Sequence, residues 1–170
     1  NIPAIASILT ADGDPTDNAA PGATLQIEGE KFGRSTGDPL KVRIQGQAVP
    51  SDVFERYEDG ILRFPVPDEA LNGTVEVEVG NYAAYRRGFK ILKSLAWKRD
   101  VTRIDLRKGQ TPPDLLAALE ARDSSGIEVK ADEATGRRAP YVRFRVDDGA
   151  PFKASQVPDN LSVGTHVLRA

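Results

Sequence analysis

Apolar residues recur in this chain at every second position, in short runs separated by Gly, Pro, Asn and Asp. Val75, Val77 and Val79 alternate with Glu76 and Glu78, so one face of an extended segment can enter a core while the carboxylates stay in water. Leu25 with Ile27, Val42 with Ile44, and Leu62, Phe64 and Val66 repeat the pattern, and Phe89 and Ile91 close the first half. Each run is too short for a stable helix. Gly29 and Gly33 around Phe32, Gly46, Asp59-Gly60 and Asn72-Gly73 sit between the runs, and these residue types tolerate the positive φ of tight reversals. Asn72-Gly73 is the sharpest hairpin signal. The pattern predicts an all-β chain with the rhythm of a β-sandwich.

Residues 93–98, KSLAWK, read as a junction, with Trp97 expected to pack between two domains and stiffen the connection. Beyond them Ile104 and Leu106 alternate with Arg103, Asp105 and Arg107. Two readings fit the segment that follows. Thr111 as N-cap, Pro112 and Pro113 in the first turn and Leu115, Leu116 and Leu119 on one stripe would make a short helix. A strand from Leu115 to Arg122, ended by the turn Asp123-Ser124-Ser125-Gly126, is the alternative. Val142, Phe144 and Val146 then alternate with Tyr141, Arg143 and Arg145, and Asp147-Asp148-Gly149 turns the chain.

The first half carries an Ile-Pro-x-Ile opening strand, Pro21-Gly22 leading into Leu25-x-Ile27-x-Gly29, and then Phe32-Gly33. Val42 and Ile44, Phe64-Pro65-Val66-Pro67 and Gly73 before the valine-alternating strand complete the pattern. In this it resembles the IPT/TIG family of immunoglobulin-like domains over residues 1–92, although the first loop, ADGDPTDNAAPG, is longer and more acidic than that family's pattern. The order Lys-Gly, Asp-Leu-Leu, Ala-Arg-Asp-x-x-Gly and Val-Gly-Thr-His in residues 93–170 looks like a bacterial Ig-like repeat of the HYR or cadherin-like kind, and favours the strand reading of 115–122. The resemblances imply two tandem immunoglobulin-like β-sandwich domains. Residues 93–170 number 78, against the ~100 of a full sandwich of this type, so the second domain is expected to lack its final strand or to be closed by another element. An edge left open in this way accepts a strand from a partner.

Charge narrows the partners. With 23 basic and 25 acidic residues the formal net charge is -2, so no global field favours nucleic acid or an anionic membrane. Cysteine is absent, which removes disulfides, thiolate nucleophiles and cysteine-based zinc sites. No apolar run approaches the ~20 residues of a membrane span. Methionine is absent, including at residue 1, so the chain is expected to be a processed or excised segment whose targeting signal lies outside it. The resemblances imply an extracellular or cell-surface location.

No catalytic apparatus is legible. His166 has neither a second histidine nor a serine pattern that would make a triad, and it reads as a substitute for the tyrosine-corner residue of immunoglobulin folds, sharing a strand face with Leu168. Asp132-Glu133 and Asp147-Asp148 are adjacent pairs, which a strand sends to opposite faces and a turn leaves solvated. Two candidate contact regions remain. Asp12, Asp14, Asp17 and Asn18 place four oxygen-bearing side chains in seven residues, the donor type calcium requires, although the EF-hand spacing is absent and Pro15 interrupts the run. Tyr82 and Tyr85, with Arg86 and Arg87 beside them, supply rings and guanidinium groups of the kind enriched at binding hot spots. Asn72-Gly-Thr74 and Asn160-Leu-Ser162 match glycosylation acceptors. The expected role is a non-catalytic spacer or protein-binding domain pair of a secreted or surface protein; the alternative is a carbohydrate-binding accessory module in which the Tyr-Arg segment touches glycan.

Overall fold

In a computed structural model, residues 2–33, 39–100, 104–105, 111, 115–129, 144–152 and 166–169 are described. Two sheets face each other across the core of the first half. One holds four antiparallel strands in the order β1 (Ala4–Thr10), β3 (Thr24–Glu30), β7 (Ile61–Pro65), β6 (Arg56–Glu58). The other runs β10 (Leu119–Asp123), β9 (Tyr82–Trp97), β8 (Gly73–Val79), β4 (Leu40–Ile44), β5 (Gln47–Val49). The two-residue β2 (Asn18–Ala19) joins β9 in parallel at Lys90 and Ile91.

The alternating positions behave as their periodicity requires. Leu25, Ile27, Leu62 and Phe64 enter the core from the four-stranded sheet; Val42, Ile44, Val75, Val77, Phe89 and Ile91 meet them from the other. Their partners in the pattern, Lys41, Arg43, Glu76 and Glu78, stand on the opposite face of the second sheet. The chain is thus all-β, with a sandwich core built from both sheets.

The glycines explain the PGATLQIEGEKFG segment. At Gly29 a Cβ would lie 1.9 Å from the Ala4 carbonyl oxygen and 2.5 Å from Phe32 Cζ, so only glycine lets β1 and the buried Phe32 ring close over this point. Tyr57 Oη donates to the Phe32 carbonyl at 3.2 Å and holds the returning backbone in place. Asn72-Gly73 differs from expectation. The strands on either side of it, β7 and β8, lie in different sheets, so it is a crossing between sheets and not a hairpin turn. The tight reversals fall at Gln45-Gly46, where both residues have positive φ (48° and 80°), at Asp59-Gly60, as expected, and at Gly80-Asn81.

Asn72 has a different task. Its Oδ1 accepts from the Ile91 amide at 2.8 Å, its Nδ2 donates to Ser125 Oγ at 3.2 Å, and its own amide donates to Ser124 Oγ at 2.9 Å. One side chain therefore ties the crossing to β9 and to the turn after β10. Because both ends of the amide are engaged, Asn72 is poorly placed to serve as a glycan acceptor. Asn160 lies outside the described residues, as do Asp132-Glu133.

The expected junction is a strand. β9 runs unbroken for 16 residues through Lys93–Trp97, and its far end pairs with β10, from Leu119↔Trp97 to Asp123↔Leu92. A single 3-10 turn, Leu116–Ala118, precedes β10, so the helix and strand readings of this segment each describe part of it. The turn Asp123–Gly126 forms as read, closed by the Gly126 amide on the Asp123 carbonyl at 2.9 Å. Asp123 is 3% exposed; its Oδ1 accepts from the Ser125 and Ile127 amides, and Oδ2 lies 3.6 Å from Lys90 Nζ. Burial alone would raise its pKa, but those amides, with Asn72 and the Lys90 charge, outweigh it and hold the carboxyl below its ordinary value.

A second, smaller cluster gathers Leu115, Leu119, Phe144, Val146 and Phe152, with Trp97, Ile104, Leu116 and Leu168 against it. Trp97 belongs to this cluster, 6.1 Å from the Phe144 ring centre, rather than lying between two cores. β11 (Arg145–Val146) pairs with β12 (Leu168–Arg169). The segments in which a closing strand would be sought, 130–143 and 153–165, lie outside the described residues.

His166 also departs from its expected role. It precedes β12 and its Nδ1 lies 2.6 Å from Asp147 Oδ2, while Asp147 Oδ1 accepts from the Val167 amide at 2.8 Å. It steadies a turn whose Asp147 carries φ 50°, from a position just outside the strand on which it was expected. The His166 contact first, then the Val167 amide, lowers the Asp147 pKa. A depressed carboxylate stabilises the fold above its unfolded value and loses that contribution as pH falls through the depressed one. The Asp147 side-chain carboxyl carbon resonance is therefore expected to titrate with its midpoint below the ordinary aspartate value of 3.8, the β11–β12 pair loosening as it does so. Titration of that resonance at or above 3.8 would show that the contact does not hold Asp147.

Candidate functional site

The Tyr-Arg segment of β9 is divided by the pleat. Tyr85 pairs with Glu76 and so stands on the outer face of the six-stranded sheet; Tyr82 pairs with Val79, whose side chain belongs to the core side. Tyr82, 51% exposed, lies at the sandwich end in a depression with Lys31, Gly33, Asp59, Gly80 and Asn81. A bulge then intervenes, because Val75↔Arg86 is followed by Gly73↔Phe89, with Gly88 at φ 77°. Arg86 reaches across to β1 and donates to the Ala6 carbonyl at 2.8 Å, a structural strap. Arg87 remains on the outer face with Tyr85.

Tyr85 and Arg87 line a shallow open depression with Gln45, Gly46, Thr74 and Glu76. Each comes from a feature of the backbone. Gln45 occupies the first turn position of the β4–β5 hairpin, and its side chain folds over Gly73, where an added Cβ would lie 1.6 Å from Oε1. Its Oε1 accepts from the Thr74 amide at 3.1 Å, which fixes the carboxamide at the rim. Tyr85 is 60% exposed, and no other exposed large apolar side chain among the described residues shares this face.

Charges on the same face are ordered. Glu78 takes Arg43 at 2.7 Å and Lys41 at 3.0 Å, and Glu76 takes Arg43 at 3.3 Å. The hydrogen bond to Glu78 is the main cause that raises the Arg43 pKa, and Arg43 and Lys41 in turn lower that of Glu78. These cross-strand pairs remain in partial contact with solvent, where such pairs add little stability. Their effect is to immobilise the carboxylates and two of the three cations, leaving Arg87 with no hydrogen bond or ion pair among the described residues.

The acidic loop is dispersed. Asn18 lies in β2 and is buried, with Nδ2 donating to Asp17 Oδ1 at 2.9 Å and its amide donating to Thr16 Oγ1. The Asp14 amide donates to Thr10 Oγ1 and its carbonyl accepts from the Thr10 amide, which folds Asp12–Asp14 into a local turn. Asp12, Asp14 and Asp17 do not come together as a cation-holding group, and no set of three acidic or histidine side chains does so among the described residues. No described helix is long and apolar enough to cross a membrane. The sequence reading named Tyr85 and Arg87 but missed Gln45 and Thr74. Neither carries a motif pointing to this site, and the signal that finds them is the register of β4, β8 and β9.

No family model matches the chain, and no curated protein does. Several solved structures are similar to it over part of the chain. A crystal structure with a xylogluco-oligosaccharide is 18% identical with a TM-score of 0.40, covering 62% of this chain and 24% of that one. An auxiliary nutrient binding protein from Bacteroides thetaiotaomicron VPI-5482 is 19% identical with a TM-score of 0.45, covering 56% and 22%. One from Bacteroides ovatus ATCC 8483 is 17% identical with a TM-score of 0.44, covering 62% and 26%. The matched regions thus span only about a quarter of the length of these chains.

Proposed function

We propose that the chain is a non-catalytic binding module of a larger secreted or cell-surface protein, and that it holds saccharide on the outer face of the six-stranded sheet around Tyr85. The observation that carries this reading is a single exposed ring set among fixed polar groups: Tyr85 beside Gln45, Thr74, Glu76 and Arg87. A sugar ring has one apolar face and a rim of hydroxyls, and such a surface offers a partner to each. A protein interface calls for an apolar centre with a polar rim, and one ring on an otherwise charged face supplies too little of the former. The saccharide role, the alternative of the sequence reading, therefore moves ahead of the protein-binding spacer. The IPT/TIG and HYR or cadherin-like assignments stand as part of this proposal, resting on the sequence patterns given above.

Binding to an array of neutral and acidic oligosaccharides tests it. Tyr85→Ala is expected to weaken every saccharide that the native chain holds by about tenfold or more, the effect of removing ~1.4 kcal/mol at a contact centre. Tyr82→Ala, altering the other depression, is expected to leave binding within about twofold. Retained affinity in Tyr85→Ala, or no saccharide bound by the native chain, would overturn the proposal.

A further inference from the structure

The charge arrangement on the same face points to a particular saccharide class. We infer that the Tyr85 depression selects saccharides bearing a carboxylate, that is uronic acid residues, with Arg87 as the reading group; this rests on the saccharide reading and deepens it. Around the depression, β4 and β8 present Lys41, Arg43, Glu76 and Glu78 in paired rows, and Arg87 stands in the β9 bulge beside them. The two glutamates are engaged by Lys41 and Arg43, so the positive charge left over is that of Arg87. A guanidinium offers a planar fork of donors that matches a carboxylate with two parallel hydrogen bonds, stronger and more directional than a bond to a hydroxyl.

Spacing supports the assignment. Tyr85 and Arg87 are two residues apart on one strand, about 7 Å along its axis. That is the scale of a hexopyranose carrying one substituent beyond the ring. A uronate stacked on the Tyr85 ring accordingly sets its carboxylate over Arg87 and its hydroxyls toward the rim. There the Gln45 Nε2 group donates; it has no partner among the described residues, since Oε1 alone is taken by the Thr74 amide. Glu76 also lines the depression, but Arg43 lies 3.3 Å from its carboxylate and offsets its charge.

Calorimetric titration of the whole chain with matched pairs decides the point: oligomers of glucuronic, galacturonic and mannuronic acid, each against its methyl ester, at low and at physiological salt. In at least one pair the acid is expected to bind about tenfold tighter than the ester, by a margin that shrinks as salt rises. Arg87→Ala is expected to abolish that margin, bringing acid and ester to equal affinity. Arg87→Lys is expected to keep part of the margin, having the charge without the fork. Equal binding of acid and ester in every pair, or a preference that survives in Arg87→Ala, would overturn the inference while leaving the saccharide reading intact. Absence of binding to these and to the neutral oligosaccharides would overturn both.

Discussion

Gly29→Ala is expected to destabilise the sandwich by about 3 kcal/mol, at the upper end of what overpacking costs a well-packed interior. The new methyl would meet the Ala4 carbonyl oxygen at 1.9 Å, and that atom is backbone, so no side chain can swing away to make room. Two responses are open, and each breaks a contact. If β1 moves out, the pairing of Ile5 with Gly29 at the irregular step of the β1–β3 ladder is lost, and Ile8 loses its cover. If β3 moves inward, it presses on Phe32, whose Cζ lies 2.5 Å from the same point and whose ring is completely buried. The midpoint of urea unfolding measures the cost. Gly22→Ala serves as the comparison, because its φ of 77° strains an alanine while nothing lies within 4 Å of the new atom. It is expected to cost only about 1 kcal/mol, the usual penalty of a side chain at positive φ. Equal effects at the two positions would show that the close approach of β1 is relieved at little cost and does not fix the glycine, since Gly29 has no positive φ.

That contrast marks what the sequence could convey. Period-2 alternation identifies Leu25, Ile27, Val42, Ile44, Leu62, Phe64, Val75 and Val77 as core, because burial of one strand face is a local property written at every second position. Pairing between distant strands is not local. Asn72-Gly73 has the composition of a hairpin turn, but its neighbours enter different sheets, and the asparagine's amide proves more important than its tolerance of positive φ. The Tyr-Arg cluster was legible as chemistry and not as geometry. Residues 82 and 85 differ by an odd number and part at once, and the bulge at Gly88 accompanies the division of Arg86 and Arg87 between a strap and an open face. Nor does the acidic loop announce in sequence that Asn18 enters the sheet beside Lys90 with its carboxamide bonded to Asp17.

Phe144→Ala is expected to remove about 3–5 kcal/mol from the second cluster, the cost of truncating a wholly buried phenylalanine. That cluster has five buried members among the described residues, with the Phe144 ring 6.1 Å from both Trp97 and Phe152. The substitution is expected to unfold this cluster while the first core, which among the described residues contains none beyond Ile91, remains. The chain contains one tryptophan, at the edge of the second cluster, which makes the separation measurable. Trp97 fluorescence is expected to report an exposed indole in the variant under native conditions, while amide exchange at Ile27 and Leu62 stays slow. That result would make the expected boundary at residues 92–93 a thermodynamic division even though β9 passes through it without a break. The opposite result, Trp97 exposure and fast exchange at Ile27 arising together, would mean that the continuous strand and the Asn72 bonds to Ser124 and Ser125 couple both cores into one cooperative unit.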